Sequence, residues 1–78
     1  MTLEERVIKI ITKELRMKDG VVTLESKFIE DLGTDSLDAL EIIVALENEF
    51  KLELPDTTHE NIATVQDVVD EVKQYIKS

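Results

Sequence analysis

Ser36 is the residue of this 78-residue chain whose setting points most clearly to chemistry. Gly33 breaks the chain ahead of it, Thr34 and Asp35 are good capping residues, and a helical apolar pattern starts directly afterwards. Ser36 is therefore expected in the first turn of a helix, where backbone N–H groups lack partners and the macrodipole is positive. A phosphate ester on its hydroxyl would be held favourably there. Other chemistries fit less well. A serine nucleophile needs an oriented base and an oxyanion hole. The chain has no Gly-x-Ser-x-Gly, and its single histidine, His59, lies in a weakly patterned stretch and reads as solvent-facing. Glu30, Asp31, Asp35 and Asp38 crowd the same region, but their spacing does not match the EF-hand ligand pattern. Weak, unspecific divalent-ion binding is the expectation, with no dedicated metal site.

Four helical stretches are expected to position Ser36, in an all-α fold. Thr2 and Glu5 have capping-box spacing, and Leu3, Val7, Ile8, Ile11 and Leu15 recur at helical spacing, which predicts a helix from Leu3 to Arg16. Arg6, Lys9 and Lys13 fall on its polar side, and Lys18-Asp19-Gly20 is expected to end it. Residues 17–35 form a long connection that is expected to be ordered. Val21, Val22, Leu24, Phe28, Ile29 and Leu32 supply anchors along it, and Ser26 to Glu30 is read as a short helical turn. The second helix runs from Ser36 to Phe50. After Lys51–Pro55, Asp56 is expected to cap a short helix through Asn61, and Ile62 to anchor the link that follows. Thr64 caps a last helix with Val65, Val68, Val69, Val72 and Ile76 on one face and Tyr75 at a wet edge. The sum is a small helical bundle of three longer helices and one short one, in a single domain covering residues 1–78.

The second helix carries apolar residues on two opposite faces. With Leu37 at zero and about 100° per residue, Ala39, Ile42, Ile43, Leu46 and Phe50 fall at about 200, 140, 240, 180 and 220°. Those residues are the expected core face. Leu37, Leu40 and Val44 fall at about 0, 300 and 340°. Asp38, Glu41 and Glu47 are interleaved, and unpaired carboxylates are almost never buried. The pattern predicts an exposed apolar stripe rimmed by carboxylates and starting at Ser36.

Charge and composition narrow the partners. Net charge is −9, and residues 30–60 hold ten acidic side chains against Lys51 alone. Such a segment repels nucleic acid and anionic membrane and attracts a basic patch. There is no apolar run near the ~18–20 residues that cross a bilayer, no visible signal peptide and no cysteine, so a cytoplasmic protein is the expectation. A monomer that inserts into no membrane and binds no nucleic acid is expected.

Asp31-Leu32-Gly33-Thr34-Asp35-Ser36-Leu37 resembles the attachment motif Asp-Leu-Gly-x-Asp-Ser-Leu of acyl carrier proteins. The resemblance runs from Glu4-Glu5-Arg6-Val7 through Ala45-Leu46-Glu47 to Thr64-Val65-Gln66, and is strongest to the discrete carriers of bacterial-type fatty acid synthesis. It implies that Ser36 carries 4'-phosphopantetheine from coenzyme A, placed by a phosphopantetheinyl transferase. It implies no catalysis by the chain itself, and storage of an acyl chain among the helices. It also implies that fatty acid synthesis enzymes dock through basic patches on Asp35, Leu37, Asp38, Leu40, Glu41, Val44 and Glu47. The chain departs from the common pattern at Thr34, often Ala, Ala39, often Thr, and Asn48, often acidic. The last removes one charge from the expected docking face. A polyketide or other specialised acyl carrier, or a helical interaction module without cofactor, are the alternative readings.

Overall fold

The computed structural model describes residues 1–55 and 58–76. Its helices are α1 (Leu3–Glu14), α2 (Ser36–Phe50), α3 (Thr58–Asn61) and α4 (Val65–Tyr75). Three of them build the bundle. The fourth, α3, is a single turn of four residues. One turn closes too few hydrogen bonds to repay the ordering of its backbone, so it depends on its neighbour for stability. The bundle proper is thus three helices with a one-turn appendage, among the described residues. Asp56, expected to cap that turn, lies outside the described residues.

Each long helix starts on a capping box. Thr2 pairs with Glu5, Asp35 with Asp38 and Thr64 with Asp67, each side chain accepting from the other residue's backbone N–H. These pairs satisfy N–H groups that no helical carbonyl can reach. The starts therefore fall where the sequence places them. The end of α1 does not. Arg16, four residues before Gly20, takes the left-handed conformation at φ 56° and ends the helix at Glu14, while Gly20, at φ 90°, turns the chain further on. Met17 N–H then donates to Thr12 O at 3.0 Å and Arg16 N–H to Lys13 O at 3.2 Å, a Schellman ending built without glycine. Thr12 is buried, and its hydroxyl is satisfied by donating to Ile8 O at 2.7 Å.

The core joins Val7 and Ile11 of α1, Ile42 and Leu46 of α2, and Val65, Val68, Val69 and Val72 of α4. Val22, Phe28 and Leu32 plug into it from the connection between α1 and α2. Val21 and Ile29, expected as further anchors, are 51% and 75% exposed. Val21 follows a turn closed by its N–H to Lys18 O, and Ile29 sits on the outer side of the turn from Lys27 to Gly33, whose inward positions are taken by Phe28 and Leu32. Ile76, expected on the core face of α4, lies past the helix end and is exposed. Truncating a fully buried residue such as Leu46 to Ala would cost about 2–5 kcal/mol, a large share of the stability of a domain this small.

The connection is stitched to the start of α4. Val65 N–H donates to Ser26 O and Gln66 N–H to Leu24 O, each at 3.0 Å, while Phe28 N–H donates to Ala63 O at 3.0 Å. The loop thus supplies acceptors for first-turn N–H groups of α4. The turn expected at Ser26–Glu30 lies slightly later, where Asp31 and Leu32 N–H groups both donate to Lys27 O. At the surface Arg6 pairs with Glu49 at 3.0 Å and stacks over the Phe50 ring at 4.4 Å, clipping α1 to the far end of α2.

Asp67 gives the fold an acid-sensitive element. Its carboxylate accepts from the N–H groups of Ala63 at 2.9 Å and Thr64 at 3.0 Å, and these bonds hold its pKa below the ordinary carboxylate value. A depressed folded-state pKa stabilises the fold above the unfolded value, near 3.9, and that stabilisation is lost as pH falls through the folded value. Asp67→Asn should therefore lower the melting temperature at neutral pH, with the gap to wild type closing below about pH 4. A gap that stays constant down to pH 2 would show that the carboxylate's charge is irrelevant there.

Candidate functional site

The site is built on the first turn of α2. Leu32 and Thr34 are buried, and Thr34 N–H donates to Phe28 O at 2.9 Å, so the approach to the helix is pinned to the core. Between them Gly33 turns the chain at φ 64°, a conformation that strains other side chains. Asp35 then caps the helix. Its Oδ1 accepts from Asp38 N–H at 2.9 Å, and Asp38 Oδ2 accepts from Asp35 N–H at 3.2 Å. Both aspartates, expected among the partner contacts, thus have a local role that fixes where α2 begins. Ser36 follows as the first helical residue, with its side chain exposed. The N–H groups of Ser36 and Leu37 find no acceptor among the described residues, so two donors and the positive end of a fifteen-residue helix surround the hydroxyl.

A phosphodiester suits this position. Ser36 is exposed, and the N–H groups of its own helix turn, Ser36 and Leu37, have no acceptor among the described residues. The neighbouring acids are engaged elsewhere. Glu30 pairs with Lys27 at 3.2 Å, and Asp31 accepts from Lys27 N–H at 2.8 Å. Closest to Ser36 in the chain, the Asp35 and Asp38 carboxylates are themselves engaged with backbone N–H groups at the start of α2.

The two-faced reading of α2 holds in the structure. Ala39, Ile42, Ile43 and Leu46 are buried, while Leu37, Leu40 and Val44 are 67, 42 and 54% exposed. Leu37, Leu40, Glu41 and Val44 come together along a shallow groove, with Ala45, Asn48 and Glu14 at its edges. Glu14 belongs to the last turn of α1, and no pattern within the sequence places it beside α2. Glu47 departs from the expected rim. It is half-buried, and its Oε2 accepts from Leu54 N–H at 2.8 Å, so its carboxylate faces the chain after α2 and not the groove.

Comparison with known proteins settles the family. The family described as "Phosphopantetheine attachment site" matches residues 5–72. The chain belongs to that family. A solved structure described as an acyl carrier protein from Mycobacterium tuberculosis superposes with a TM-score of 0.85 at 34% identity, over 94% of this chain and 97% of that one. The chain is therefore a carrier of the phosphopantetheine-binding kind, not a catalyst, and its cofactor is covalently attached phosphopantetheine. When bound, that group supplies a terminal thiol that holds an acyl chain as a thioester. The protein contributes the anchor, the orientation of the arm and the surface that enzymes meet.

If Asp35 is chiefly a cap, its loss must weaken the first turn of α2. Asp35→Ala should cost about 1 kcal/mol of stability and speed amide exchange at Asp38 and Ala39. Unchanged melting and exchange would leave Asp35 as a docking charge alone.

Proposed function

We propose that Ser36 is the attachment residue and that the chain carries acyl intermediates of fatty acid biosynthesis on it. The observation that supports this most directly is the exposed Ser36 hydroxyl over two unpartnered N–H groups at the start of α2, inside the matched family region. The form Asp35-Ser36-Leu37 suits fatty acid and polyketide carriers better than peptide-synthetase carriers, and the resemblance along the chain is strongest to discrete carriers of fatty acid synthesis. A stored chain would run along the side of α2 that Ser36 shares with Ala39 and Ile43, at i+3 and i+7, where both are buried. The one-turn α3 and the ordered connection between α1 and α2 belong to that working architecture.

Docking is assigned to the groove of Leu37, Leu40, Glu41 and Val44. Partners of complementary chemistry carry basic residues around an apolar contact, as expected of a phosphopantetheinyl transferase and of synthase enzymes. Glu41 is exposed, so its charge acts mainly on encounter. The three aliphatic residues supply short-range contact that slows release.

Two experiments test this. Incubation with coenzyme A and a phosphopantetheinyl transferase should add the mass of one phosphopantetheine to wild type and nothing to Ser36→Ala. No gain in wild type removes the carrier reading of Ser36. In surface plasmon resonance against the transferase, Glu41→Lys should lower the association rate and flatten its salt dependence. Leu37→Ala should chiefly raise the dissociation rate, by the factor that follows from losing ~1–3 kcal/mol of apolar burial. Equal effects of both variants on association and none on dissociation would place docking elsewhere.

A further inference from the structure

We propose that Glu47 is a clasp residue that seats α3 on α2, and that losing its bond to Leu54 frees α3 while the rest of the bundle stays folded. Three observations carry this. First, the clasp bond is short and sheltered: Glu47 Oε2 accepts from Leu54 N–H at 2.8 Å, and the Leu54 side chain is buried. A charged acceptor makes a stronger bond than a neutral one. Second, the clasp is linked to α3 by one further step, since Thr58 N–H donates to Pro55 O at 3.0 Å. Third, α3 is a short element of four residues whose main helix neighbour, among the described residues, is α2. Its Thr58 is 1% exposed, yet the hydroxyl has no hydrogen-bond partner among the described residues, which weakens the seated state.

The side of α2 in line with Ser36 is distinct from the main core. Ala39, Ile43 and Leu54 are buried but stand outside the cluster that joins α1, α2 and α4. Ser36, Ala39, Ile43 and Glu47 follow one another along a single side of α2, at i, i+3, i+7 and i+11. The clasp thus stands at the far end of the strip that begins at Ser36. Unseating α3 exposes that strip without opening the valine-rich packing of α4. Such local openings occur at energies below global unfolding. Glu47 thereby takes a positioning role, in which its charge matters through the bond to Leu54.

Amide hydrogen exchange on the full-length protein without its arm tests the clasp independently of what Ser36 carries. In wild type, Leu54 N–H should exchange more slowly than that of its exposed neighbour Glu53. Glu47→Ala should accelerate exchange at Leu54 and at Thr58–Asn61 about tenfold, with α1 and α4 unchanged. Glu47→Gln keeps a side-chain acceptor and should restore most of the protection, whereas Glu53→Ala, a charge removed from the same segment, should change nothing at α3. The proposal is overturned if Leu54 is unprotected in wild type, if Glu47→Ala leaves α3 as it was, or if α1, α3 and α4 accelerate together. Equal behaviour of the Glu47→Gln and Glu47→Ala variants would also overturn it.

Discussion

Everything at the site depends on where α2 begins. The reciprocal bonds between Asp35 and Asp38 set that start and leave Ser36 as the first helical residue. A start one residue later would take Ser36 out of the helix and would rotate the whole apolar stripe by about 100° relative to the anchored approach. The approach is itself fixed, because Leu32 and Thr34 are buried on either side of Gly33. Cap, turn and buried flanks together determine which hydroxyl is presented and which way the helix faces behind it.

The rest of the fold can then be read as support for one helix with three duties. Its inner side, Ile42 and Leu46, packs with α1 and α4. Its outer side, Leu37, Leu40 and Val44, stays in solvent as an apolar stripe along the groove. Its third side, Ala39 and Ile43, is buried outside the main core and lies in line with Ser36. Acidic side chains are distributed among these duties and are not pooled. Asp35 and Asp38 cap, Glu41 borders the groove, Glu47 reaches Leu54, and Glu49 holds Arg6.

Much of this was legible in the residues. The start of each long helix follows from a side chain that bonds a backbone three positions on, which is local chemistry. The two faces of α2 follow from spacing alone. What was not legible depends on the path of the connecting backbone. Arg16 adopts a conformation usually left to glycine, so the end of α1 carried no composition signal. Val21 and Ile29 look like anchors until the turns that carry them are known. Glu14 reaches the groove only because α1 packs beside α2, and Glu47 meets Leu54 only because Lys51, at φ 54°, turns the chain back after α2. In each case the deciding partner is distant in sequence or lies across a turn of unusual dihedral angles.

The central claim is that a phosphate on Ser36 rests over the free N–H groups of the first turn of α2. Nitrogen–proton correlation spectra of the protein before and after loading of the arm test it most directly. The account predicts the largest shifts at the amides of Ser36 and Leu37, with the proton resonances moving downfield as new acceptors arrive, and little change along α1 and α4. Loading that leaves the Ser36 and Leu37 amides where they were, with the main shifts elsewhere in the chain, would contradict it.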